Sequence, residues 1–133
     1  MNIPRIMELK MKGYCCSQII MQMGLEGLGR ENEDLIKAMA GLCDGMHREI
    51  TCGTISAAVC LLYMVDKEQA DRLSDEIWDW FDDSFGSTEC DILIEGNPLM
   101  KTQICGNLVE NTYLKLVEMF EDNNIHFEAH ESY

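Results

Sequence analysis

Residues 53–64 read GTISAAVCLLYM, without one charged side chain, and the reading of this stretch decides the fold. A run so apolar has too little charge to lie on a surface, yet it is shorter than the roughly 18–20 residues of a membrane span. It predicts the central buried helix of a helical domain, with Ser56, Ala57 and Ala58 forming a narrow face for close packing against another helix.

Toward the carboxyl terminus, Asp66 is placed to start an amphipathic helix. In it Leu73, Ile77, Trp80, Phe81 and Phe85 recur at three- and four-residue steps, and Gly86 ends it. The stretch 90–96 reads as a short apolar turn of helix or an extended piece, and Asn97-Pro98 as a loop or restart. A last helix runs from Leu99 or Thr102 to Glu121, carrying Leu108, Val109, Tyr113, Leu116 and Phe120 in register. Beyond Asn123-Asn124 the composition turns polar, which predicts a mobile tail at 123–133 after a domain at 1–122.

Toward the amino terminus, residues 44–51 form a polar loop, and Asn32 caps a helix from Glu33 to Gly41. Pro4 suits a helix start, Gly13 a break, and Gly24, Gly27 and Gly29 the end of the second helical run. No stretch alternates with period two. The pattern is that of an all-α single domain of five or six helices around the small-residue helix.

A net charge of −14 argues against nucleic acid and anionic membrane as partners, because both would be repelled. The segment MNIPRIMELKMKGYCC offers no apolar stretch of a signal peptide, so the expected compartment is the cytoplasm, where thiols stay reduced. A chain of this length buries roughly two-thirds of its unfolded surface, a core that needs no disulfide.

Seven cysteines therefore call for chemistry. They stand at Cys15, Cys16, Cys43, Cys52, Cys60, Cys90 and Cys105, with no CxxC pair, so any shared site is assembled by the fold. Cys15 and Cys16 point about 100° apart on a helix, so one of them at most faces such a site. Cys60 lies among apolar residues in the central helix and reads as a buried inert thiol. Cys52 precedes that helix. Unpaired N–H groups and the helix dipole there favour a thiolate, and the expectation is that Cys52 is the most acidic thiol, with Gly53 letting other groups approach. His47 in the polar loop, and His126 with His130 at i, i+4 spacing, read as solvated residues.

Gly13-Tyr14-Cys15-Cys16-Ser17-Gln18, the glycine turn at 41–46, the run Cys52 to Ala57, and the late pair Cys90 and Cys105 together resemble the C_GCAxxG_C_C family of redox-active proteins. The resemblance aligns Cys16, rather than Cys15, with the first characteristic cysteine, followed by Cys52, Cys90 and Cys105. Cys43 falls where the family more often has glycine, an extra thiol that a metal could also use. A related domain occurs in split-Soret cytochromes, where the cysteines look like an iron–sulfur site.

The resemblance implies a redox-active, electron-transfer role built on Cys16, Cys52, Cys90 and Cys105. These four could ligate an iron–sulfur cluster or form reversible disulfides with no cofactor. The alternative is a non-catalytic module that binds zinc through the four cysteines or serves protein interaction, although the paired knuckles of zinc sites are absent. No GxSxG, HExxH, Walker loop or GxGxxG is present. The redox partner is not named by any motif, and the small-residue helix is compatible with a homodimer.

Overall fold

The computed structural model describes residues 3–131, without the side chain of Thr102. The first two residues and the last two of the polar tail lie outside that range. Seven α-helices are present among the described residues: α1 (Pro4–Met11), α2 (Cys16–Leu28), α3 (Glu33–Met39), α4 (Gly53–Val65), α5 (Lys67–Phe85), α6 (Cys90–Leu93) and α7 (Lys101–Asp122). The count exceeds five or six because the single turn at Cys90 is helical. Extended pairing among these residues is limited to an isolated antiparallel bridge between Thr51 and Glu89. Among the described residues no helix is long and apolar enough to cross a membrane.

The helix ends follow local chemistry. Asn32 Oδ1 accepts from the Leu35 N–H at 3.0 Å, and Asp66 Oδ1 accepts from the Glu68 N–H at 3.0 Å, so each caps the helix behind it. Gly13 at φ +92° separates α1 from α2, and left-handed Gly29 and Gly86 close α2 and α5. Gly24 and Gly27, in contrast, do not end α2. A Cβ at Gly24 would collide with the Leu61 side chain of α4, and one at Gly27 with the Phe127 ring, so these glycines serve close packing inside the helix.

α4 packs against α2, α5 and α7. Ile55, Ala57, Ala58, Leu61 and Leu62 are buried against Ile20 and Met23 of α2, Leu73, Ile77 and Phe81 of α5, and Leu108 and Tyr113 of α7 in one core. The helix is not buried all round, however. Cys60 and Tyr63 share an exposed stripe, Tyr63 is 45 % exposed, and its hydroxyl donates to Asp71. The neighbours of α4 close three sides and leave this uncharged one open, so Cys60 is not the buried thiol its apolar context suggests. Cys60→Ser is accordingly expected to shift stability by less than about 0.5 kcal/mol in urea unfolding.

The segment 123–131 also differs from expectation. Phe127 lies between Tyr113 and Phe120, with ring centroids 6.0 and 4.9 Å away, and the Glu128 N–H donates to the Gly27 carbonyl at 2.9 Å. No helix forms at 125–131, so His126 and His130 do not share a helix face. His130 Nε2 lies 2.7 Å from Glu26, which Arg5 also grips at 2.6 Å. Partial burial works against the Glu26 charge, but Arg5, Gln22 and His130 together hold its carboxyl down at about 2.

Because that value lies below the ordinary carboxylate range, the contribution is complete above about pH 4.5 and is lost as the pH falls toward 2. Glu26→Gln should remove this acid limb, about 1–3 kcal/mol after allowance for solvent, as read by urea unfolding at stepped pH. An unchanged limb would show that the cluster contributes nothing to stability.

Candidate redox thiol site

Four cysteines come from four elements. Cys16 is the first residue of α2, Cys52 the N-cap of α4, Cys90 the first residue of α6, and Cys105 lies in the second turn of α7. All four line one apolar cavity with Leu93, Ile94 and Leu108. All four are free thiols.

Backbone pairing brings Cys52 and Cys90 to this cavity. The Cys52 N–H donates to the Thr88 carbonyl at 2.8 Å and the Cys90 N–H to the Ile50 carbonyl at 2.6 Å, on either side of the Thr51–Glu89 bridge. Gly53 lets the Leu42 backbone in beside Cys16: a Cβ there would lie 2.6 Å from the Leu42 carbonyl oxygen, with Cys16 Sγ at contact distance, 3.4 Å. Gly45, at φ +60°, makes room for Cys90, because a Cβ would stand 2.6 Å from the Ile50 nitrogen and 2.9 Å from Cys90 Cβ. Asp44, Gly45, Met46 and His47 run consecutively through the left-handed region, a conformation that L residues avoid and that surrounding contacts must hold. Lys101 does part of this holding, at 3.1 Å from Asp44 and 3.8 Å from Glu49.

The acidity of the thiols departs from the expectation that Cys52 leads. The Cys105 thiol donates toward Cys16. With the Thr54 hydroxyl and the Ser17 N–H it outweighs burial and the Asp44 charge, lowering Cys16 to about 6. Burial raises Cys52 to about 11, and a charged Cys16 adds to this. The N–H groups of Thr54 and Ile55 do favour its thiolate, so the helix end acts as foreseen but loses to desolvation. Cys105 is raised, first by its hydrogen bond to Cys16 and then by burial, and Cys90 is raised chiefly by burial. The cavity thus favours one thiolate among four sulfurs. In reduced, metal-free protein, limiting iodoacetamide at about pH 6.5 should label Cys16 before Cys52, Cys90 or Cys105. Preferential labelling of Cys52 in peptide mass spectra would restore the helix-end account.

The space between the thiols is about 20 Å3, room for about one water. Among the described residues no three His, Cys, Asp or Glu side chains stand ready as a metal site. The donor chemistry nevertheless suits a thiolate-bound group. Thr54 Oγ1 is fully buried without a conventional hydrogen-bond partner and lies against the Cys16 and Cys52 sulfurs, a donor available to negative charge there.

The remaining cysteines stand apart. Cys15 and Cys43 form a disulfide with a Cα–Cα distance of 6.0 Å, so Cys43 is engaged with Cys15 rather than facing the four-thiol cavity. No sequence signal announced that pair, since its members lie 28 positions apart and meet only through the turn of α2 onto α3. His47 is exposed with Nε2 2.9 Å from the Ala40 carbonyl, outside the cavity wall. Thr54 and Gly45 were not foreseen as parts of the site.

Residues 14–119 match the model of the C_GCAxxG_C_C family, whose description reads "Putative redox-active protein", and the chain belongs to this family. No curated protein and no solved structure gives a significant match.

Proposed function

We propose that this chain is an electron-transfer protein in which Cys16, Cys52, Cys90 and Cys105 ligate an iron–sulfur cluster. One observation carries the reading: four free thiols from four separate elements line a single apolar cavity, twice the number a disulfide needs. A bound cluster would supply a one-electron couple. The protein's own part is then to concentrate thiolate character at Cys16, to offer the Thr54 hydroxyl and Ser17 N–H to negative sulfur, and to exclude water with Leu93, Ile94 and Leu108. Loading requires the small cavity to widen.

A second reading, a reversible Cys16–Cys105 disulfide, is favoured by the place of both thiols in one cavity and by the mutual influence through which Cys16 is lowered and Cys105 raised. Purification without oxygen separates the two. Brown protein that bleaches on reduction with dithionite supports the cluster. Colourless, metal-free protein in which peptide mapping finds the Cys16 and Cys105 thiols, apart from the Cys15–Cys43 pair, reversibly gained and lost supports the disulfide. Stoichiometric zinc in colourless protein contradicts both.

A further inference from the structure

We propose that the Cys15–Cys43 pair is a second redox site, reduced from an open surface groove by a small anionic thiol that attacks Cys15. This site is separate from the four-thiol centre and stands whether or not that centre holds a cluster.

A groove of about 300 Å3 runs along the outer side of the cavity, with Cys15, Cys16 and Cys105 in its wall and Lys10, Lys101 and Asp44 beside them. Cys15 is partly buried but lines the groove, whereas Cys43 is 7 % exposed and does not, so a reagent in the groove meets Cys15 first. Access decides which sulfur of a disulfide is attacked.

The buried Ser17 hydroxyl donates to the Met39 carbonyl at 2.7 Å and lies 3.1 Å from Cys15 Sγ and 3.6 Å from Cys43 Sγ. Its oxygen is thus placed to accept the S–H of Cys43 once that thiol is released. The steps balance. A first thiolate bonds to Cys15 Sγ as the Cys15–Cys43 bond breaks, and Cys43 leaves as a thiolate that takes up a proton. A second thiolate attacks the bound thiol's sulfur and frees Cys15, which is protonated in turn. Two thiols are oxidised to one small disulfide, and the protein pair gains two electrons. In a reducing compartment a disulfide of this kind is redox-active rather than a permanent staple.

Charge selects the reagent. A chain at −14 repels anions in general, but in this groove two lysines, Lys10 and Lys101, stand against the Asp44 carboxylate and the Cys16 thiolate. Lys101 is held by Asp44 and Glu49. The Lys10 ammonium has no carboxylate partner among the described residues and lies over Gly106: a Cβ at that position would come within 2.6 Å of Nζ. Glycine inside a helix is less favourable than alanine, and at Gly106 it makes room for a cation that no carboxylate holds, next to Cys105.

The test uses the full chain, oxidised in air and then treated without oxygen with mercaptoethanesulfonate, mercaptoethanol or cysteamine at equal thiolate concentration and low salt. Acid quenching, alkylation and peptide mass spectrometry follow the Cys15–Cys43 link and any mixed disulfide. The expected order is anionic faster than neutral by about threefold or more, with the cationic thiol slowest and the adduct on Cys15. Lys10→Gln, or added salt with the native chain, should erase the preference. The proposal is overturned if the oxidised chain lacks the Cys15–Cys43 link, if the cationic thiol is fastest as net charge alone dictates, if the adduct sits on Cys43, or if the preference survives both treatments.

Discussion

Serine at any one of Cys16, Cys52, Cys90 or Cys105 is expected to abolish stable iron and sulfide binding, while serine at the exposed Cys60 leaves both in place. The four thiols face one cavity, so each variant leaves three ligands and an open side. The full set of four variants says more than any one of them. If only Cys16→Ser and Cys105→Ser lose the redox response, the centre is a dithiol of those two, and Cys52 and Cys90 are packing thiols. If Cys60→Ser removes iron, the cavity is not the centre at all.

Gly45→Ala should be among the most damaging substitutions outside the cysteines. The residue is at φ +60°, where a side chain is strained, and its Cβ would meet the Ile50 backbone and Cys90 Cβ. We expect a loss of about 3 kcal/mol in urea unfolding, with Cys90 becoming more reactive to iodoacetamide in the folded protein. Gly53→Ala tests the other wall, because there the obstacle is the Leu42 carbonyl, a backbone group that cannot turn aside. A loss of about 2 kcal/mol or more is expected. If both variants unfold within about 0.5 kcal/mol of the native chain, the close approaches at the site are not tight.

What could be read in advance was local. Asn32, Asp66, Gly13 and Gly86 announce helix ends because a cap or a left-handed turn is decided within a few residues. Gly24 and Gly27 mislead, since whether a glycine stops a helix or seats a neighbour depends on Leu61 and Phe127, which arrive from elsewhere in the chain. The tail misleads for a related reason: its composition is polar, but Phe127 and His130 find a slot and a carboxylate that only the folded α2 and α7 provide.

At the site, the family pattern singled out Cys16, Cys52, Cys90 and Cys105, and these four line one cavity. Their acidity was not legible. The helix end at Cys52 is written in the sequence, whereas the burial that overrides it, and the Cys105 and Thr54 donors that favour Cys16, belong to the tertiary structure.

Iron and acid-labile sulfide per chain, measured on protein isolated without oxygen, test the central claim most directly. The account predicts iron and sulfide in near-equal amounts, both lost on serine substitution at any of the four cavity cysteines. Colourless protein, whether it carries one zinc per chain or no metal at all, would contradict it.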